Sequence, residues 1–220
     1  MKNFRLVKAD EIDCRVAMVK KNGVSLLLYK DARCDMNILD ETVGAFNWQK
    51  AYSRDNANCT VSLWDEAKQQ WISKEDTGTE SNTEKEKGLA SDSFKRACFN
   101  WGIGRELYTA PFIWIKAEKC NITEYNGKFT CKDTFTVKDI AYDASERICY
   151  LLITNNQGET VYSFGKKPEK LPHETLVRLQ ASILNHPKYT PEYVCNYYKV
   201  KDLSELSVKQ AEDVISVATK

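Results

Sequence analysis

Short apolar runs broken by tight-turn residues constrain this chain more than any other feature. Cys14–Val19 and Val24–Tyr29 read as strands separated by Lys20-Lys21-Asn22-Gly23. Asn-Gly between two apolar runs is a strong hairpin signal. Asn155-Asn156-Gln157-Gly158 divides Ile148–Thr154 from Thr160–Phe164 in the same way. Trp48–Tyr52, Cys59–Trp64 and Trp71–Glu75 form a further series, the last two joined by the polar loop Asp65–Gln70. Pro111–Ala117 and Phe135–Tyr142 complete the strands. Connections this short favour antiparallel pairing, because a parallel crossover needs a dozen residues or more. Leu26-Leu27-Leu28-Tyr29 is apolar at every position, which predicts a strand covered on both faces.

The apolar period then changes. A short polar element stands around Ala9–Ile12. In Ala32–Val43, Met36, Leu39 and Val43 recur at helical spacing, with Asp35 and Asp40-Glu41 outside the stripe and Gly44 as the stop. The longest helix starts at Ser81-x-x-Glu84, a capping-box pattern, and runs to about Trp101 before Gly102-Ile103-Gly104. Its stripe is Ala90, Phe94, Ala97 and Trp101. Antiparallel hairpins with helices on one side are an α+β arrangement. Gly165-Lys166-Lys167-Pro168 reads as a linker, and helical patterns follow near Lys170–Asn185, Pro191–Tyr198 and Ser207–Thr219. All five tryptophans precede Ile115. The expected division is residues 1–165, a linker at 166–169, and a small helical part at 170–220.

Composition narrows the function. The net charge is +1, so any phosphate-binding site must be local. The eight cysteines form no CxxC pair, and His173 and His186 both lie near the C-terminus. A zinc site and a Ser-His-Asp or Cys-His centre are therefore not expected. The thiols read as reduced, in a cytoplasmic protein, since residues 1–11 carry no apolar signal core and no run approaches a membrane span. No GxxxxGK[ST] loop is present. A metal-dependent nuclease would need converging carboxylates. Glu66-Ala67-Lys68 lies in a polar loop, and Asp76, Glu80 and Glu84 occupy loop and cap positions.

Two basic clusters remain. On a helical wheel Lys95 and Arg96 leave the long helix away from its apolar stripe. From Ser93 to Arg105 there is no acidic residue, and the two glycines turn the chain so that Arg105 returns toward the helix end. A Lys-Arg pair on a helix face is most often plain solvated surface. The second cluster is Lys30, Arg33, Lys50, Tyr52 and Arg54 beside Trp48. Cations interleaved with aromatics suit a single strand, although Trp48 and Tyr52 also read as core.

Lys87-x-x-x-Ser91-Asp92-x-x-Lys95-Arg96-Ala97, followed by a glycine turn and Leu107-Tyr108, resembles the helix motif of the Rad-fifty-two/Rad-twenty-two single-strand annealing proteins, closest to the bacterial and phage versions. Glu11-Ile12-x-x-Arg15, Tyr29, Arg33 and Gly44-Ala45-Phe46-Asn47-Trp48 agree in order, so the likeness spans roughly residues 9 to 110. It implies a curved antiparallel sheet of hairpins packed on a long helix, assembly into a homo-oligomeric ring, and single-stranded DNA in a basic groove around it. It implies phosphate contacts from Lys95, Arg96 and Lys87, with Arg33 opening the first helix. Phe99 stands where some members carry a third basic residue, with Arg105 as a substitute. Lys30 and Arg54 complete the candidate set. The expected function is ATP-independent annealing of complementary strands in homologous recombination and double-strand break repair, with no catalytic residue, metal or cofactor. The alternatives are 3′-end protection without annealing, a metal-dependent nuclease, and an adaptor domain. The C-terminal helices resemble accessory modules of phage recombination proteins, which implies contacts with other recombination or single-strand-binding proteins.

Overall fold

The computed structural model describes residues 4–79, 85–168, 171–198, 200 and 202–219, and the side chains of 85–87 also lie outside that description. The capping box at Ser81 and Glu84 therefore falls outside the described residues. β1 (Asp13–Lys20) and β2 (Gly23–Tyr29) form the first hairpin, with Lys21-Asn22 as its turn. α1 (Ala32–Val43) follows. β3 (Trp48–Ser53), β4 (Asn58–Asp65) and β5 (Gln70–Thr77) make an antiparallel three-stranded sheet. Next come α2 (Lys85–Asn100) and β6 (Ile113–Lys116). A small hairpin of β7 (Ile122–Tyr125) and β8 (Lys128–Cys131) precedes β9 (Phe135–Tyr142), β10 (Ile148–Asn155) and β11 (Thr160–Gly165). The larger sheet has the order β11-β10-β9-β1-β2-β6. Thus the hairpin nearest the N-terminus lies inside it, between β9 and β6. Helix and strand contents are nearly equal, at 34% and 35%, and the curved sheet is antiparallel, as the turn spacing predicts for an α+β chain.

α2 packs on β4, β5 and α1. Phe94, Ala97, Cys98 and Ser93 are fully buried, so the apolar stripe predicted from helical spacing is the face that meets the sheet. Removing the Phe94 ring there would cost about 3–5 kcal/mol. The helix ends in a Schellman motif. The N–H of Gly102 donates to the Phe99 carbonyl at 3.0 Å and that of Ile103 to the Cys98 carbonyl at 3.2 Å, with Gly102 at φ 103°.

Two local expectations are corrected. α1 buries Cys34, Asp35, Ile38 and Leu39, a face displaced from Met36 and Val43. Asp35 turns inward because Lys30, just before the helix, supplies its counter-charge. β2 is covered on both faces from Gly23 to Leu26, but on one face only beyond it. Leu26 is buried, whereas Leu27 is 59% and Tyr29 43% exposed. A bulge explains which residues share that outer face. Pairing runs Lys20↔Gly23 to Met18↔Ser25, skips Ala17, and resumes as Val16↔Leu26, Arg15↔Leu27 and Asp13↔Tyr29. An unpaired residue flips the faces that follow it, so Arg15 stands across from Leu27 on the open side.

The chain divides into two units, one comprising the residues to Ile140 with Leu151–Phe164, the other Ala141–Tyr150 with the residues from Gly165 onward. The second contains α3 (His173–Ile183), α4 (Pro191–Tyr198) and α5 (Val208–Ala218). Leu179, Ile183, Val194, Leu206, Ala211 and Val214 are its apolar centre. Ser207 and Gln210 cap α5 reciprocally. Arg178 on α3 pairs with Glu212 on α5 at 2.9 Å.

Candidate nucleic-acid interface

The first unit carries a cleft of about 1420 Å³. α2 forms one side of it, with Lys95 and Arg96. The outer face of β1 and β2 contributes Arg15, Leu27 and Tyr29, and the chain from Gly104 to Ile113 contributes Tyr108 and Phe112. The helix motif and the first hairpin, far apart in sequence, thus face a common space.

Lys95 is half-buried, and among the described residues it has no hydrogen-bond or ion-pair partner. The reason is local. Asp92, three residues earlier, is its natural helical partner. That carboxylate instead accepts the backbone N–H of Thr79 at 2.9 Å and the Thr79 hydroxyl at 3.2 Å. Arg96 makes one long contact, Nε to Asp76 at 3.4 Å, while Asp76 also accepts from Asn100 at 3.3 Å. A single Nε contact leaves most of the guanidinium fork available for a phosphate. Arg15, exposed on β1, has no hydrogen-bond or ion-pair partner among the described residues.

The other predicted cations whose side chains are described do not join them. Lys30 touches the cleft but is only 7% exposed, and its ammonium is held by Asp35. This corrects its assignment as a phosphate contact, since leaving Asp35 would strand a buried carboxylate. Burial pushes the Asp35 carboxyl up to about 6 against the pull of Lys30, and its Oδ2 has no hydrogen-bond partner among the described residues. Gly104, at φ 79°, presses on the Lys30 stem so closely that any Cβ would overlap Lys30 Cε. Arg33 is exposed at the start of α1 and pairs with Asp31 at 2.9 Å. That hydrogen bond holds the Asp31 carboxyl below its usual range.

Arg105 donates to the carbonyl oxygens of Phe99 and Asn100 at 2.8 and 2.9 Å, closing the C-terminus of α2. Arg54 is exposed in the β3–β4 turn, where residues 54, 55 and 56 all have positive φ. Lys50 lies 4.6 Å above the Phe94 ring, and Trp48 is half-buried with its indole N–H on Asp40 at 2.6 Å. Neither Arg33, Arg54, Lys50 nor Arg105 lines the cleft. The Lys87 side chain lies outside the described residues.

Sequence reasoning for the site missed Arg15, Tyr29, Tyr108 and Phe112. Only the bulge places Arg15, and its sequence trace is faint: Ala17 and Met18 are successive exposed residues in an otherwise alternating run. Of the acids weighed for catalysis, Glu66 and Asp76 are described, and each is engaged separately. Glu66 accepts from the Trp64 indole at 2.8 Å, Asp76 serves Arg96 and Asn100, and Glu80 and Glu84 lie outside the described residues. Among the described residues no three His, Cys, Asp or Glu side chains are grouped to hold a metal ion. All eight cysteines are free, and burial pushes the thiols of Cys14 and Cys34 up to about 12. No helix of the described residues is long and apolar enough to cross a membrane. In the second unit, Tyr189, Tyr193, Tyr197 and Tyr198 line a smaller groove of about 250 Å³ beside Asp213.

Comparison of the chain with known protein families, with curated proteins and with solved structures finds no match.

Proposed function

We propose that this protein binds single-stranded DNA along the Lys95–Arg96 side of the cleft and, as a homo-oligomer, anneals complementary strands in recombination and repair without ATP. One observation carries the reading. Lys95 has no partner among the described residues and shares an open cleft with the largely unengaged Arg96 and with Arg15. A half-buried ammonium is stabilised by an anion, and a phosphate chain supplies one at regular intervals. The resemblance of the α2 motif to the Rad-fifty-two/Rad-twenty-two proteins supports the same reading, and with it action in the cytoplasm. Repetition of the cleft around an oligomer would build a long cationic path from a chain of net charge +1. Annealing would then run downhill on base stacking. The second unit would serve as a contact for other recombination or single-strand-binding proteins.

The test is the salt dependence of binding. Each phosphate contact on a single strand contributes about 0.7 to the slope of log affinity against log salt. Replacing Lys95 and Arg96 with Ala should therefore flatten that slope by about 1.4. An unchanged slope removes both residues from the site. Light scattering with and without single-stranded DNA reads the oligomer. A fluorescence assay with complementary oligonucleotides distinguishes annealing from end protection, and incubation of labelled DNA with Mg²⁺ or Mn²⁺ distinguishes both from a nuclease.

A further inference from the structure

The cleft has a second side whose chemistry its cations do not explain. Tyr108 is 77% exposed and Phe112 72%, and both line the same space as Lys95 and Arg96, with Leu27 and Tyr29 beside them. Large rings left in water beside Lys95, which has no close ion pair, and Arg96, which meets only Asp76, mark a surface that fits a partner both flat and anionic. The rings are held in place. Tyr108 meets the edge of Phe99 at 4.9 Å, in the turn that Gly104 begins. Phe112 follows Pro111 and lies near-parallel to Trp114 at 6.2 Å and 16°. The Tyr162 hydroxyl donates to the Phe112 carbonyl at 3.3 Å. Rings fixed in this way lose little freedom when something stacks on them.

We propose that this side of the cleft stacks unpaired bases. The inference rests on the nucleic-acid reading above and adds a direction to it. Phosphates run along Lys95, Arg96 and Arg15, and some bases turn inward onto Tyr108 and Phe112. Charge decides against a second protein surface as the occupant. An apolar partner laid over these rings would shut water away from Lys95, which feels Asp31 and Asp35 but has neither as a close ion pair, whereas a strand brings one phosphate for each base. Annealing alone would favour phosphates held inward and bases displayed outward. Here a fraction of the bases is instead held, and each must leave its ring before it can pair. Duplex DNA, with no free base faces, is disfavoured at this site.

The experiment compares an oligothymidylate with an abasic sugar-phosphate oligomer of equal length, using the full chain at fixed salt. The expected preference of the wild type for thymidylate is at least about tenfold. Y108L/F112L should lose that preference and keep the salt slope, while Y108F/F112Y, which keeps both rings, should retain it. A strand containing 2-aminopurine should also lose emission on binding the wild-type protein, a readout that needs no variant. If Y108L/F112L still prefers thymidylate, or 2-aminopurine is not quenched, the stacking inference falls while the Lys95–Arg96 reading stands on its own salt slope. If the Leu variant loses oligomer mass with its base preference intact, the rings are a subunit contact and stacking is again excluded. If the wild type binds neither polymer, both readings fall together.

Discussion

Lys95 and, apart from its one contact with Asp76, Arg96 face an open cleft, whereas Lys30, Arg33 and Arg105, equally basic on paper, each end on a partner within six residues. Lys30 meets Asp35, Arg33 meets Asp31, and Arg105 meets the carbonyls of Phe99 and Asn100. Charge density along the chain therefore does not distinguish a binding cation from a structural one. What distinguishes them is whether the nearby acceptors are already engaged. Lys95 has no close ion pair among the described residues, while Asp92 is turned to Thr79 through Oδ2. The same chemistry gives a fixed scaffold in one place and an unsatisfied surface in the other.

The largest effect that could break this contrast is at Lys30. Lys30→Ala leaves Asp35 buried without its counter-charge and should destabilise the fold by about 3–5 kcal/mol, read from urea midpoints. A variant of wild-type stability that lost salt dependence in DNA binding would instead place Lys30 with Lys95.

Next in size is the pH profile. The Asp35 carboxyl is raised to about 6 in the fold, above the 3.8 of an ordinary aspartate. Between roughly pH 4 and 6 the folded chain keeps a proton that the unfolded chain releases, so this group makes stability fall as pH rises and adds no slope above that window. Asp35→Asn should abolish the decline, which is on the order of 3 kcal/mol. Glu11 and Asp31, whose carboxyls are lowered by Arg5 and Arg33, act with the opposite sign at lower pH. An Asp35→Asn profile that parallels the wild type would show the pair to be solvated.

Arg105→Ala should cost about 1 kcal/mol through the two helix-end carbonyls and leave the salt slope unaltered. A flatter slope would move Arg105 into the cleft set. Smallest of all, Arg33→Ala and Arg54→Ala should shift neither the urea midpoint nor the slope, because both side chains are exposed and neither lines the cleft.

These contrasts also mark where the sequence is legible. Periodicity places Phe94 and Ala97 against the sheet, turn residues locate the hairpins, and the composition change at Gly165 coincides with a boundary between the two units. Asp35 defeats the amphipathic pattern because that pattern assigns every charge to water, whereas a lysine five residues earlier can carry one inside. The β7–β8 hairpin escapes notice because its strands are four residues each and mostly exposed, which leaves little apolar alternation. Its Asn126-Gly127 turn, with φ of 49° and 73°, is the signal that would find it. The cleft depends on a register slip at Ala17 and on two aromatic residues in a turn, neither of which has a period.

Gly104 seated on the Lys30 stem has a consequence for how such chains diverge. A methyl group at 104 would dislodge the lysine from Asp35, so three positions scattered over the chain are tied to one another by shape and charge. Surface cations can drift and be replaced nearby, but a change at any one of this trio disturbs the other two. Among distant descendants of a common ancestor, a glycine at the turn should co-occur with the buried lysine and aspartate long after the rest of the alphabet has been rewritten.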